Sequence, residues 1–226
     1  MPEAAPRDFY DEAYFAGRSR SSLPHTRDVV YPLSERTARF LCRGRRPTSA
    51  LDVACATGFL VEALQAQGVP AVYGVDISRY AVMQADAPRR GRLVVGDAQT
   101  GLPFRSAWCD LITACDVFEH LADPEPALRE IHRVLGDRGR AYLKICHPRH
   151  PNARRDPSHV NVQSLAYWRA AFRRAGFAWT RVYEAEFAPE GGMRGWIAGR
   201  LRRWREWAVV GTPADYKFLL RKRRHA

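Results

Sequence analysis

Ala50-Leu51-Asp52-Val53-Ala54-Cys55-Ala56-Thr57-Gly58-Phe59-Leu60 is a short apolar run that breaks into a turn of small residues and then opens a helix. Leu51 to Cys55 is too short for a free-standing helix and too apolar for a surface loop, so it reads as a buried parallel strand. Ala54, Ala56 and Gly58 keep the following turn free of bulk. Leu60, Val61 and Leu64 then fall on helical spacing over Phe59 to Gln67, which places a helix N-terminus at the turn. Strand, tight turn and helix in that order let a backbone approach a nucleotide-like ligand.

Asp52-Val53-Ala54-Cys55-Ala56-Thr57-Gly58 resembles the nucleotide-binding turn of class I S-adenosylmethionine-dependent methyltransferases, in which an acidic and an aliphatic residue precede Gly-x-Gly-x-Gly. Alanine stands in the first two glycine places. An added Cβ is poorly tolerated where φ is positive, so either the turn shifts slightly or binding weakens. The resemblance implies that Asp52, Ala54, Ala56, Gly58 and Phe59 belong to the cofactor site.

Downstream segments extend it. Ala71 to Asp76 is a second strand ending in an acid, and Asp76 lies 24 residues beyond Asp52, near the spacing at which such units set a carboxylate on ribose hydroxyls. The alternative is a helix cap, since Ile77-Ser78-Arg79-Tyr80 follows and Ser78 can itself cap. Arg92 to Ala98 is a third strand, and the resemblance implies adenine contacts from Asp97 and the Ala98 backbone. Cys109 to Leu121 is similar to the family's fourth strand and brings Cys115 and Asp116 to the cofactor. Arg133 to Arg140 is similar to the small-molecule branch, which includes quinone-ring and natural-product enzymes. Together these cover about residues 50–146. The implied fold is α/β, a Rossmann-like doubly wound sheet of seven mostly parallel strands with an antiparallel last strand. Residues 1–45 form an arm and helix capping the cofactor site, with Tyr10 and Tyr14 as contacts. Residues 46–226 form the core, with a helical lid inserted at about 185–215.

Further along, Pro124 to Leu135 reads as a helix stopped by Gly136, Arg140 to Cys146 as the fifth strand, Ser164 to Ala175 as a helix, and Trp179 to Tyr183 and Tyr216 to Leu220 as the last strands. Arg27 to Cys42 carries helical spacing, with Pro32 near its start.

A chain of 226 residues that is 46% hydrophobic supports one core. The five cysteines show no C-x-x-C spacing and no His-Cys cluster, which predicts buried, reduced thiols and no metal. An apolar signal segment and a run of 18 apolar residues are both lacking, so the expectation is a soluble, cytoplasmic protein. The net charge of +12 is uneven. Residues 1–46 carry +3 and residues 47–193 carry +1, while residues 194–226 hold ten basic residues against two acidic ones. The charge therefore describes the partner of the tail more than that of the body.

Methyl transfer from a sulfonium needs an acceptor positioned in line, and a hydroxyl or carbon acceptor also needs a general base. His120 and His147 follow the fourth and fifth strands at the carboxyl edge, where open α/β sheets bind ligands. They are the catalytic candidates. His159 and Tyr14 are candidates for the substrate side, and each histidine taken singly also fits a structural role. In the tail, Met193, Trp196, Ile197, Leu201 and Trp204 share a helical face ringed by arginines including Arg200. This helix reads as a lid in which Trp196 and Arg200 meet an apolar or anionic small-molecule acceptor. A membrane-surface helix and a packed helix with a solvated basic face are the alternatives. Nucleic-acid methylation competes through the basic tail, yet the fourth strand ends Cys115-Asp116-Val117-Phe118, without the Pro-Pro-aromatic signature or the Pro-Cys pair of base-flipping methylases. A degenerate cofactor-binding interaction module is the third reading, motivated by Ala54 and Ala56.

Overall fold

The structure is a computed structural model that describes residues 6–18, 24–182 and 215–223. In chain order the helices and strands are α1 (Glu12–Phe15), α2 (Arg27–Leu41), β1 (Ser49–Val53), α3 (Phe59–Ala66), β2 (Ala71–Asp76), α4 (Arg79–Gln84), α5 (Ala87–Arg90), β3 (Leu93–Val95), β4 (Cys109–Cys115), α6 (Glu125–Val134), β5 (Leu135–Ile145), α7 (Leu165–Arg174), β6 (Phe177–Arg181) and β7 (Tyr216–Lys222). The strands form one sheet in the order β3-β2-β1-β4-β5-β7-β6. The first five are parallel, and β7 runs antiparallel between β5 and β6. This is the doubly wound sheet with an antiparallel last strand. The winding reverses between β1 and β4, and the crevice at such a reversal is where open sheets bind ligands.

Alternation along the central strands explains why both faces are covered. Leu51, Val53, Ile112 and Ala114 join Leu128, Ile131, Trp168 and Phe172 in one core, while Ala50, Val72 and Leu111 join Leu60 and Leu64 in the other. Asp52 is the polar exception in β1. It is 4% exposed, and its Oδ1 accepts from the Thr113 hydroxyl at 2.6 Å in the facing register of β4. Burial pushes its carboxyl up to about 7, with the Thr113 bond opposing.

Two expectations are corrected. Gly136 does not stop α6, because Leu135 is already extended (φ −66°, ψ 135°) and β5 begins there, not at Arg140. The extra residues form an irregularity in the β4–β5 pairing, where Cys109 faces Leu135 and Leu111 faces Arg140. Glycine suits it through close packing, since a Cβ on Gly139 would lie 2.7 Å from Leu135 Cδ1. Helix α2 starts at Arg27 as expected, with Pro32 in its second turn. The lid expected over about 185–215 lies outside the described residues, Asp215 excepted.

The N-terminal segment lies on the carboxyl edge. The Ser78 hydroxyl donates to Tyr10 O at 2.6 Å, the His25 N–H donates to Phe15 O at 2.8 Å, and the Phe15 ring stacks on Tyr80 at 6.2 Å.

Candidate active site

The turn after β1 runs through three left-handed residues at alternate positions: Ala54 (φ 57°), Ala56 (φ 49°) and Gly58 (φ 81°). The turn keeps positive φ despite the alanines, at a steric cost for each L-residue. At Gly58 a side chain meets both the positive φ and a neighbour, because a Cβ there would lie 2.9 Å from Leu93 Cδ1, which would have to shift. The coiling aims the Ala56 N–H at Asp76, whose Oδ2 accepts it at 2.7 Å while Oδ1 accepts the Ser78 N–H at 2.7 Å. Ser78 in turn caps α4 by accepting from the Ala81 N–H at 3.1 Å. Asp76 is 6% exposed, and burial raises its carboxyl pKa against the pull of those two N–H groups. Its two oxygens are therefore fixed in direction and keep lone pairs to spare.

These residues wall a cavity at the reversal point that holds about 980 Å³ of space, its open mouth included. Ala54, Ala56, Asp76, Ile77, Asp97, Ala98, Cys115 and Asp116 all line it, so the carboxyl ends of β1, β2 and β4 and the segment after β3 converge on one space. Asp97 Oδ1 accepts the Gln99 N–H at 2.8 Å. Asp116 adopts φ 55°, and its Oδ2 accepts from Lys144 Nζ at 2.6 Å.

The opposite end is aromatic. Tyr10, Tyr14, Phe15, His25, His120 and Leu121 line it, and Tyr10 and Tyr14 pack edge-to-face with ring centres 5.1 Å apart. Burial, with Asp156 next in effect, raises both phenol pKa values, so the hydroxyls stay protonated. His120 is 9% exposed. Burial, with the His159 ring beside it, lowers its pKa to about 4. Its Nδ1 lies 3.2 Å from Ser158 O, which leaves Nε2 free when Nδ1 carries the proton.

Other predicted residues fall elsewhere. Asp52 lies beneath the cavity on Thr113, and Gly58 sits behind its wall. Phe59 lines an adjacent depression, between the Arg27 and Arg89 guanidiniums. His147 lies outside the cavity, with its Nδ1 accepting the Arg149 N–H at 3.0 Å and its ring 4.5 Å from Tyr216. His159 backs the wall, its ring 4.7 Å from that of His120. Trp196 and Arg200 lie outside the described residues. The expectation of no His-Cys cluster meets a correction, since Cys146, His150 and Asp215 bring ligand atoms within 4.8 Å of one another. Sequence reasoning missed His25, Phe15 and Gln99 as cavity residues. No spacing marks His25, whose neighbours Pro24 and Thr26 read only as a helix entry.

Residues 51–143 match the methyltransferase-domain family model. An uncharacterized methyltransferase, YcgJ of Bacillus subtilis (strain 168), is 35% identical over 116 residues, 44% of this chain and 45% of that one. The chain thus spans under half of that curated relative. The crystal structure of YcgJ superposes with a TM-score of 0.58 at 25% identity, covering 86% of this chain and 98% of the other. A SAM-dependent methyltransferase from Archaeoglobus fulgidus shares the fold, with a TM-score of 0.63 at 17% identity over 87% and 95% of the two chains. S-Adenosylmethionine is the cofactor of this family, and carboxylates at three successive strand ends around one cavity can accept hydrogen bonds from the hydroxyls and amine of such a ligand. Residues 51–143 thus carry the methyltransferase domain, and the chain is similar there to class I S-adenosylmethionine-dependent methyltransferases.

Proposed function

We propose that the protein moves a methyl group from S-adenosylmethionine to the oxygen or nitrogen of a small-molecule acceptor, in a biosynthetic setting. The observation that carries this is the two-ended cavity, with carboxylates and turn backbone at one end and buried aromatic rings with His120 at the other. When bound, the cofactor supplies a methyl on a sulfonium that is already a good leaving group. Asp76, oriented by the Ala56 and Ser78 N–H groups, is suited to accept from a ribose diol, and Asp97 to meet an adenine edge. Tyr10, Tyr14 and Phe15 cap the cavity and exclude water, which leaves a flat or apolar acceptor as the matching shape. At this end the His120 ring is the group placed to act on the acceptor's proton.

The lining residues include three carboxylates and no lysine or arginine among the described residues, so this wall favours a neutral acceptor over an anionic one. Assays with labelled cofactor over small phenols, enols and amines, with RNA as a parallel substrate, test the reading. We expect label in a small molecule, a loss of about 10²–10⁴ in turnover for His120→Ala with cofactor affinity kept, and near-normal rates for His147→Ala. Label entering RNA in preference to every small molecule would overturn it.

A further inference from the structure

Glu119 and His120 are consecutive in a 3-10 turn after β4, and His159 comes from a loop 39 residues later. One ligand atom from each lies within 4.8 Å of the others. Two polar atoms in this cluster are buried without any hydrogen-bond partner, Glu119 Oε2 and His159 Nδ1. Glu119 is 1% exposed and the His159 side chain 8% exposed. Leaving such groups unpaired in a core is costly, and two in one place point to a missing partner that both can bind.

One other polar atom of each side chain faces a neighbour. Glu119 Oε1 accepts the Cys146 N–H at 3.1 Å, His120 Nδ1 faces Ser158 O at 3.2 Å, and His159 Nε2 lies 3.7 Å from Asp156 Oδ2. Asp156 is itself fixed, since its Oδ1 accepts from the Ser158 N–H at 2.9 Å and from the Ser158 hydroxyl at 2.5 Å. The Asn161 N–H ties the loop to the turn by donating to Glu119 O at 2.8 Å. Imidazoles oriented through their second nitrogen by a carbonyl or carboxylate, with the first left free, are the usual preparation for metal ligation. Two imidazoles and one carboxylate with positions left open form a set that suits borderline divalent metals.

We propose that Glu119, His120 and His159 bind one divalent first-row transition-metal cation at the acceptor end of the cavity. Spacing along the chain does not register a pair brought together with a residue 39 positions away, so the sequence alone gives no sign of a metal site here. The donors must draw in to about 3–3.5 Å apart to meet bonds near 2.0–2.2 Å, a movement within reach of side-chain torsions. The second cluster, Cys146, His150 and Asp215, is not equivalent. There the Cys146 thiol donates to His147 O at 3.7 Å, His150 Nδ1 accepts the Asn152 N–H at 3.2 Å, and Asp215 pairs with Lys144 at 3.5 Å. The use of the ion rests on the methyl-transfer reading: with His120 Nε2 taken as a ligand, the ion and not the free imidazole would favour deprotonation of an acceptor oxygen. Its binding does not rest on that reading.

The test is cobalt(II) titrated into chelator-treated full-length protein, followed by visible d–d absorption and calorimetry. We expect one ion per chain, two paramagnetically shifted imidazole N–H resonances, and affinity lower by about 100-fold or more in Glu119→Gln and His159→Gln. His150→Asn should bind as wild type does. Absence of binding to wild type, unchanged affinity in both ligand variants, or loss in His150→Asn alone would each overturn the proposal. Should the ligand variants fail to fold, the wild-type stoichiometry and its two shifted resonances decide it alone. A separate titration with S-adenosylhomocysteine keeps the two readings apart. Its binding without cobalt removes only the metal, and cobalt binding without it removes only the cofactor assignment.

Discussion

Replacing Ala56 by glycine should stabilise this protein, although the same change in an ordinary strand or helix destabilises it. Ala56 holds φ 49°, a conformation that costs an L-residue about 1–2 kcal/mol. Glycine removes that strain and loses about 0.4–1 kcal/mol to the greater freedom of its unfolded chain. The net gain is roughly 0.5–1 kcal/mol. Ala54 (φ 57°) carries the same strain, but its methyl packs partly against the core, so its own exchange should come out near zero. The double variant should gain about 1 kcal/mol, or about 2–4 °C in Tm for a domain of this size. Gly58→Ala should do the reverse. It meets the left-handed cost at φ 81° and a contact of 2.9 Å to Leu93 Cδ1, for a net loss of about 1–2 kcal/mol. Urea unfolding followed by circular dichroism measures all four variants. Ala56→Gly destabilising by as much as Gly58→Ala would refute the left-handed turn.

Two further predictions concern the sheet and the tail. Asp52→Asn keeps an oxygen for the Thr113 hydroxyl, and its gain should depend on pH. Because burial raises the Asp52 carboxyl to about 7, the folded state retains a proton that the unfolded chain has released. Stability from this group is therefore present below pH 4 and lost as pH rises toward 7. The variant should gain on the order of 2–4 kcal/mol relative to wild type between pH 4 and pH 8, and a difference constant with pH would contradict it. Changing Arg200, Arg202 and Arg203 together to glutamate should raise the acceptor KM and leave cofactor affinity unchanged if the tail segment covers the acceptor. Wild-type kinetics together with unchanged vesicle binding would place the tail segment outside the acceptor's recognition.

The sheet was legible because its strands carry their burial in the sequence. Leu51 to Val53, Val72 to Val75 and Leu111 to Ala114 are apolar runs ended by a turn or an acid, and the acids at the carboxyl edge mark one cavity. Local signals failed where tertiary pairing decided the outcome. Gly136 looks like a helix stop, but the backbone at Leu135 was already drawn into pairing with Cys109. His147 and His120 hold equivalent places after neighbouring strands, and what separates them is Tyr216 of β7, which takes one ring, while the N-terminal arm and the 156–161 loop enclose the other. His25 and Gln99 reach the cavity through loops whose course no periodicity records.

The most direct measurement is a calorimetric titration of S-adenosylhomocysteine into wild type and Asp76→Ala, with circular dichroism to confirm that both are folded. Asp76 accepts the Ala56 and Ser78 N–H groups from the cavity wall, and losing a charge-assisted partner for the ribose is worth about 1.5–3 kcal/mol. We expect one site per chain in wild type and affinity weaker by roughly 10–150-fold in the variant. Equal affinity in the two folded proteins, or no binding to wild type, would contradict it.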